Sequence, residues 1–373
     1  MLKRLRNLVY ILVIALFSCS SDSSDRSTSK DKSYNIENIV FYNEQANIRI
    51  AGTLTYPEDE GPFPAVVLIP GSGNTTRDGS DNQVHRPLFE IADYLSKHGF
   101  AVLRCDKRGA GESEGVLDFN TTIADLAGDV KASIDFLCNK PITDTNKLGL
   151  IGHSKGGLVA AKVAADMPAL SFVVLMACPG IKHGDILRQQ LSDIPGAFGI
   201  NDKTIKEFQI IIDSTMIILT SGENDEITAE MVEEMYRKRM DQITDNEIES
   251  MSKTGYIFQR DAQMYSSMVM TPFWYEFYTL DPKTIFNQVN CPVLSITGEN
   301  DMQVRPEPNQ AAIKIALESG NNYNYALIIP EGMNHLFQMS DSGSPGEYYK
   351  TKDTMSESVL DTLNNWILKQ VIN

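Results

Sequence analysis

The sequence is poor in the residues on which several protein classes depend. Basic residues are scarce, because 33 Lys and Arg face 49 Asp and Glu and leave a formal net charge of −16. Phosphate affinity comes largely from clustered Lys and Arg, so this balance argues against a nucleic-acid-binding protein. The five Cys show no zinc-finger spacing, and the glycine-rich turns contain no P-loop, so neither of those sites is expected.

The N-terminal apolar run is too short to cross a membrane. It spans ten residues, Leu8–Phe17, whereas a membrane-spanning helix needs about 20. Three basic residues precede it, which is typical of a signal peptide, here residues 1–18. The run ends in Leu16-Phe17-Ser18-Cys19, which resembles the lipobox of bacterial lipoproteins, in which the Cys is lipidated. The alternative is an ordinary secretory signal in which Cys19 is incidental.

Residues 19–35 are predicted to form a flexible tether, because Ser20–Lys32 is rich in Ser, Asp and Lys and has no apolar residue. These features predict an exported protein of the cell envelope, in the periplasm or at the outer membrane, which contacts the membrane only through an N-terminal lipid. No structural disulfide is expected among the other four Cys, which are Cys105, Cys138, Cys178 and Cys291.

The rest of the chain has the composition and pattern of an α/β protein. Apolar residues make up 42% and charged residues 22%, which permits a packed core and excludes global disorder. Residues 36–55 alternate weakly and predict two antiparallel strands. Continuous apolar runs then alternate with helical periodicities, which predicts a mostly parallel sheet with helices on both faces. The runs are Ala65–Ile69, Ala101–Leu103, Leu148–Ile151, Phe172–Met176, Pro292–Ile296 and Ala326–Ile329.

Residues 181–280 interrupt this alternation and predict a helical insertion into a core domain of residues 36–180 and 281–373. Eight of the 15 Met lie in the insertion. Deformable Met suits a surface that repacks around apolar ligands, but it also fills small helical cores. Amphipathic helices are expected over residues 203–219, 228–243 and 257–270.

The segment Gly152-His153-Ser154-Lys155-Gly156 has the G-x-S-x-G spacing of a nucleophile elbow. It follows the predicted strand Leu148–Ile151 and precedes a predicted helix, which is the context that the motif requires. The two Gly leave room where strand and helix approach each other. Ser154 is therefore the predicted nucleophile, and the backbone N–H of Lys155 is a predicted oxyanion donor.

A serine nucleophile needs a base that is held by an acid. Asp301 follows the predicted strand Pro292–Ile296, and His335 lies in a loop after the last predicted strand, so the chain order is Ser, acid, His. Asp301 is the predicted acid and Glu299 the fallback. The other His are set aside: His153 as pointing away from the serine, His98 as a helix cap, and His85 and His183 as residues of polar loops.

The second oxyanion donor is expected from the loop Pro70–Asn74, which follows a predicted buried strand. Ser72 is the first choice and Gly73 the alternative. A phosphate-binding interpretation of these glycines lacks a G-x-G-x-x-G motif or a Lys-Ser/Thr partner. In a later glycine-rich loop, Asp106 and Arg108 are expected to form an ion pair with each other.

These segments together resemble the α/β-hydrolase-fold serine hydrolases, in the branch of bacterial esterases and serine aminopeptidase-like and dienelactone hydrolase-like enzymes. The resemblance covers residues 36–373 and implies a triad of Ser154, Asp301 and His335, a helical cap between the sixth and seventh strands, and no metal or organic cofactor. Lys155 departs from the usual apolar, Gln or Met residue, and is expected to add charge near the oxyanion or to point to solvent. Further matching segments are Arg77–Gly79, Asp106–Ser113, Pro272–Trp274 and Asn334–Phe337, whereas Pro70 stands where many members have His.

The predicted function is hydrolysis of a small carboxylic ester, with an apolar pocket lined by Phe273, Trp274 and Met268. A serine peptidase acting on short peptides is the first alternative. A non-catalytic binding lipoprotein on a hydrolase scaffold is the second. An aminopeptidase would need a carboxylate for the substrate's α-ammonium, and the candidates are Glu223, Asp225, Glu226 and Asp261.

Overall fold

The computed structural model describes residues 34–79, 85–256, 258, 260–348 and 354–372. The predicted signal peptide, the predicted lipidation site Cys19 and most of the predicted tether lie outside this part of the chain. Within it, eight strands form one sheet. They are β1 (Tyr34–Asn43), β2 (Ile48–Pro57), β3 (Phe63–Ile69), β4 (Ala101–Cys105), β5 (Thr143–His153), β6 (Phe172–Met176), β7 (Val293–Ile296) and β8 (Tyr325–Ile328).

The sheet is parallel apart from its first two strands. The strand order is β1-β2-β4-β3-β5-β6-β7-β8. β1 pairs antiparallel with β2, and β2 pairs antiparallel with β4, whereas the remaining neighbours are parallel. This confirms the predicted fold class. β1 begins two residues before the predicted boundary at residue 36, because Tyr34 is buried and donates its hydroxyl hydrogen to Asp93 at 2.8 Å.

Helices cover both faces of the sheet. One apolar core lies between the sheet and α2, α3, α10 and α11, and a second lies between the sheet and α1 and α12. The carboxyl ends of the parallel strands meet at one edge, which is where ligands bind in open α/β sheets. The helices are α1 (Pro87–Lys97), α2 (Ile123–Cys138), α3 (Lys155–Asp166), α4 (His183–Ala197), α5 (Asp202–Leu219), α6 (Asp225–Met240), α7 (Asp245–Ser252), α8 (Ala262–Val269), α9 (Pro272–Thr279), α10 (Lys283–Phe286), α11 (Pro306–Ser319) and α12 (Glu357–Val371).

Helices α4–α9 form the helical insertion between β6 and β7, and they enclose an apolar core of their own. Met240 and Met251 are buried in that core, so part of the methionine content fills it. Capping residues set the helix starts. Asn224 caps α6, which begins at Asp225 rather than at residue 228, and Asp261 caps α8, which begins at Ala262 rather than at residue 257.

The described part of the chain contains no helix that is long and apolar enough to cross a membrane. Cys105, Cys138, Cys178 and Cys291 are free thiols. Burial raises the pKa of Cys105 to about 12 and that of Cys291 to about 11, so both thiols stay protonated at neutral pH.

Candidate active site

Ser154 lies on a sharp turn between β5 and α3. Its backbone has φ 54° and ψ −126°, a conformation that a residue with a side chain rarely adopts. Its N–H donates to the Met176 carbonyl at 2.8 Å. A Cβ on Gly152 would lie 2.2 Å from the Gly156 carbonyl oxygen, and one on Gly156 would lie 2.4 Å from that of Ile69. The motif needs both glycines because backbone occupies the space of their side chains.

Asp301 and His335 are brought together from loops that follow β7 and β8. His335 Nδ1 donates to Asp301 Oδ2 at 2.7 Å. The other carboxylate oxygen accepts the N–H groups of Gln303 and Val304, each at 2.8 Å. Both side chains are buried. This arrangement fixes the imidazole orientation and leaves Nε2 as the ring nitrogen that can take up a proton.

Glu299, the fallback acid, has a different position. It is exposed, and its carboxylate accepts the N–H of Gly332 at 2.9 Å. It therefore supports the loop that carries His335 and makes no contact with the imidazole. Of the two candidate acids, the structure joins Asp301 to His335.

The loop that carries His335 is organised by a buried asparagine. Asn334 Oδ1 accepts the N–H groups of Leu336 at 2.9 Å and Gln338 at 3.1 Å. The chain turns sharply at Phe337, where φ is 59°. These contacts give His335 a defined backbone position without using its ring.

His153, which precedes the serine, joins the elbow to this loop. Its Nε2–H donates to the His335 carbonyl at 2.9 Å, and the two ring centroids are 4.9 Å apart. Burial and the neighbouring His335 lower the pKa of His153 to about 3, so the ring is neutral. The sequence analysis excluded this residue as pointing away from Ser154. It did not predict that His153 links the elbow to the backbone of His335.

The loop after β3 runs directly beside the serine. A Cβ on Gly71 would lie 3.1 Å from Ser154 Cβ, so the loop passes in contact with the elbow. The Lys107 ammonium donates to the carbonyls of Gly71 and Gly73. Burial and the charge of Lys155 lower the pKa of Lys107 to about 7. Sequence reasoning missed Lys107; the usable signal was its place in the loop after β4, the strand that neighbours β3.

The Lys155 side chain is buried rather than solvent-exposed. Its ammonium lies 4.2 Å from the centroid of the Phe273 ring. Burial lowers its pKa to about 8, against a weaker opposing effect of Glu276. The expectation that this side chain could point to solvent is therefore wrong, and a positive charge is present next to the elbow.

The expected ion pair between Asp106 and Arg108 is absent. Asp106 pairs instead with Arg77 at 2.5 Å, and Arg108 pairs with Asp129 of α2 at 2.7 Å. Each residue meets a partner from another element. Asp106 therefore holds the segment that follows the Gly71–Gly73 loop, and Arg108 ties the β4 loop to α2.

The three predicted pocket residues lie in α8 and α9. Phe273 contacts the Lys155 ammonium. Trp274 is buried in the insertion core, and Met268 packs against that core.

The structure also places the three remaining histidines. His183 is predicted to lie in a polar loop, but it is buried at the start of α4 and stacks on Phe277, with 4.9 Å between the ring centroids. His85 is likewise buried, which also differs from the polar loop that its sequence context predicts. His98 lies at the C-terminal cap of α1, as expected.

The four carboxylates considered for an aminopeptidase are all exposed. Asp261 is committed to the N-terminus of α8, where it accepts the N–H of Met264 at 2.9 Å. In the part of the chain that the structure describes, no group of three or more His, Cys, Asp or Glu could hold a metal ion.

Residues 85–335 match the family model of the serine aminopeptidases, S33. The chain belongs to this family of α/β hydrolases. It is 24% identical over 322 residues to Esterase EstD of Thermotoga maritima, which covers 86% of this chain and 66% of EstD. It is 27% identical over 115 residues to the 2,6-dihydropseudooxynicotine hydrolase of Paenarthrobacter nicotinovorans, which covers 31% of this chain and 28% of that protein. The chain thus spans less than two thirds of both relatives.

Solved structures of α/β hydrolases share the fold. The α/β hydrolase GrgF of Penicillium sp. sh18 has a TM-score of 0.56 and 15% identity, covering 91% of this S33-family chain and 100% of GrgF. The Pyrococcus furiosus esterase Pf2001 has a TM-score of 0.53 and 17% identity, covering 95% and 97%. At these identities the similarity establishes the α/β-hydrolase fold alone.

Proposed function

We propose that the chain is a serine hydrolase that cleaves carboxylic esters through an acyl-enzyme intermediate. The observation that carries this proposal is the buried hydrogen bond between Asp301 and His335 at the strand edge that also presents the strained Ser154. The His153 bond to the His335 backbone supports it, because it ties the base to the residue next to the nucleophile.

In the proposed reaction, the Ser154 hydroxyl attacks the ester carbonyl while His335 Nε2 takes its proton. The imidazolium is stabilised by Asp301 and returns the proton to the departing alcohol. Water then attacks the acyl-serine with His335 as base, which releases the acid and restores the serine. Within the described chain the Ser154 hydroxyl has no hydrogen-bond partner, and such catalytic hydrogen bonds commonly tighten when substrate binds.

The proposed oxyanion donors are the backbone N–H groups of Lys155 and Ser72. Lys155 is the first residue of α3, so its N–H points out of the helix N-terminus. In a trans peptide the N–H points opposite to the carbonyl of the same unit. The Gly71 carbonyl points to Lys107, so the Ser72 N–H points away from Lys107. This favours Ser72 as the donor from the loop.

An ester substrate fits the charges better than an α-amino peptide. An aminopeptidase needs a carboxylate near the scissile bond, but the four candidates in the insertion are exposed. The buried cation next to the elbow is that of Lys155, and it would repel an α-ammonium group. The esterase named among the relatives agrees with this preference.

We further propose that the helical insertion acts as a cap that shapes the acyl pocket, with Phe273, Trp274 and Met268 on its apolar side. Phe273 carries the argument, since it contacts the residue that follows the nucleophile. Phe273→Ala is expected to shift the preferred acyl length of p-nitrophenyl esters. An unchanged length profile in a folded variant would contradict the assignment.

The decisive experiment combines active-site labelling with a substrate panel. A fluorophosphonate probe is expected to label the chain but not Ser154→Ala. Hydrolysis of p-nitrophenyl esters is expected to exceed that of aminoacyl-naphthylamides by about 100-fold in kcat/KM. The reverse preference would establish a peptidase. No labelling of a folded protein would favour a non-catalytic binding protein.

Export and lipid anchoring through Cys19 remain proposals that the lipobox-like segment supports. Radiolabelled fatty acid fed to a bacterial host that expresses the full chain is expected to label the wild type and not Cys19→Ser. Equal labelling of the two proteins would contradict the anchor.

A further inference from the structure

The Lys155 side chain is an unusual feature of the candidate active site. It is only 8% exposed and it directly follows the nucleophile. An ammonium group carries three N–H donors, and Lys is rarely buried without a partner. In the described part of the chain this ammonium has no hydrogen-bond acceptor and no ion-pair partner, and it lies over the face of Phe273.

Two further polar atoms without a partner lie in the same aromatic cluster. Trp274 Nε1 and His183 Nδ1 are both buried, and neither has a hydrogen-bond partner among the described residues. The Trp274 ring lies edge-on to Phe273 and to Phe277, at 5.3 Å from each, and His183 stacks on Phe277. Both atoms therefore belong to the same ring cluster as Phe273, the ring over which the Lys155 ammonium lies.

The charges around Lys155 leave it without a neutralising partner. Glu276 is the nearby carboxylate, but it accepts the Ile123 N–H at 2.9 Å and forms no ion pair with Lys155. Lys107 uses its own ammonium on the loop carbonyls. The His183 ring is neutral at physiological pH, because burial and the charge of Lys155 lower its pKa to about 3. The local balance favours an incoming anion.

We propose that Lys155, assisted by the Trp274 indole N–H, forms a subsite for a carboxylate carried by the ester substrate. The inference rests on the proposed esterase function and specifies its substrate class as esters with a free carboxylate group. A carboxylate offers acceptors for both donors, and such charge-assisted hydrogen bonds are strong where water is largely excluded. Because Lys155 adjoins the nucleophile, the anion lies within a short distance of the scissile bond.

Two matched substrate pairs test this proposal. Mono-p-nitrophenyl glutarate and p-nitrophenyl glutaramate differ only by carboxylate against carboxamide on the acyl side. The butyrate esters of 3-hydroxybenzoate and 3-hydroxybenzamide make the same comparison on the alcohol side. In one of the pairs the wild type is expected to favour the anionic ester by about tenfold or more in kcat/KM.

The measured quantity is the ratio of kcat/KM for the anionic ester to kcat/KM for the neutral ester of the same pair. A loss of activity that affects both esters equally does not change this ratio. Lys155→Gln is expected to lower this ratio by about 10- to 100-fold. The matched control is Lys162→Gln on the same helix, a lysine paired with Asp166, and it is expected to leave the ratio unchanged. Trp274→Phe keeps the aromatic packing, removes the N–H, and is expected to lower the ratio about threefold.

The proposal is overturned if the wild type shows no preference for the anionic ester in either pair, or if Lys155→Gln leaves the ratio intact. Should Lys155→Gln not fold, an unaltered ratio in Trp274→Phe overturns the proposal by itself. Failure of the esterase function looks different, since neither member of any pair would then be hydrolysed and the fluorophosphonate probe would not label Ser154.

Discussion

Asp301 and Glu299 are two residues apart, but their surroundings give them different tasks. Asp301 is buried and directs one oxygen to His335 and the other to two backbone N–H groups. An Asn at this position keeps the shape but favours the wrong imidazole tautomer. Asp301→Asn is therefore expected to lower kcat by roughly 10⁴-fold, measured with p-nitrophenyl esters.

The control for this substitution is Glu299→Gln. Glu299 is exposed and its carboxylate accepts the Gly332 N–H, so its neutral isostere is expected to stay within about twofold of the wild-type kcat. A larger loss for Glu299→Gln than for Asp301→Asn would show that Glu299, and not Asp301, is the acid that orients His335.

Lys107 is a positioning residue for the loop that carries Ser72. Its ammonium donates to the carbonyls of Gly71 and Gly73, so its removal is expected to let the Ser72 N–H, the proposed oxyanion donor, change direction. Because a donor of this kind acts mainly in the transition state, Lys107→Met is expected to lower kcat by about 10- to 100-fold with little change in KM. Steady-state kinetics separates the two parameters.

Lys131→Met is the matched control, since Lys131 is a partly exposed lysine paired with Asp166 away from the loop. It is expected to leave both parameters near the wild-type values. A rise in KM with unchanged kcat in Lys107→Met would show that Lys107 contributes to substrate binding rather than to the position of the oxyanion donor.

The strand–turn–helix element around Ser154 depends on the absence of side chains at its glycines. In Gly152→Ala the new Cβ would overlap the Gly156 carbonyl. Because this carbonyl is part of the backbone, it cannot easily move to relieve the overlap. We expect a loss of about 3 kcal/mol or more in the free energy of unfolding, measured by urea denaturation. Gly196→Ala near the end of α4 meets open space and is expected to gain up to about 1 kcal/mol. Equal effects would contradict the packing account.

Helices and strands could be predicted from the sequence where a single pattern, such as a continuous apolar run, decides their position. The buried parallel strands appear as continuous apolar runs, and β6 matches the predicted Phe172–Met176 run residue for residue. Helix starts in the insertion were misplaced because caps such as Asn224 and Asp261 decide them, whereas apolar periodicity extends past a cap. Helical periodicities were identified between most of the apolar runs but not between the last two, so helix α11 was not predicted.

The residues of the candidate site also differ in how well the sequence predicts them. Ser154, Asp301 and His335 could be proposed from sequence because each lies at the end of an apolar strand in a fixed chain order. Lys107 and His153 were missed, because their partners come from loops far away in the chain, and only the place of Lys107 in the loop after β4 gave a signal. Asp106 was paired with the wrong arginine for that reason: sequence proximity favours Arg108, but the fold supplies Arg77.

At the scale of the whole molecule, the sheet collects every reactive group at one edge. Loops after β3, β4, β5, β7 and β8 converge there, and the insertion adds its aromatic residues from outside the sheet. This convergence buries Lys155 and partly buries Lys107, in a chain whose formal net charge is −16. The acidic net charge of the chain and the two lysines next to the elbow are therefore separate features, and the proposed carboxylate subsite depends on the second.

The buried charge of Lys155 makes stability depend on pH in a definite direction. Its pKa is lowered to about 8 in the folded chain, against about 10.4 in an unfolded chain. Between these values the unfolded state binds more protons, so the folded state gains stability as the pH rises. Below pH 8 the cost of the buried ammonium is fully present. Lys155→Met abolishes this contribution at every pH.

The difference in unfolding free energy between Lys155→Met and the wild type is therefore expected to be most favourable to the variant near pH 7. It should shrink by roughly 1–3 kcal/mol towards pH 10. Urea denaturation of both proteins at several pH values measures it, and Lys162→Met, at a partly exposed lysine of the same helix, should show no such trend. A constant difference would mean that Lys155 keeps an ordinary pKa, and a difference that grows with pH would mean that its pKa is raised. Either result would contradict a buried ammonium whose pKa is lowered.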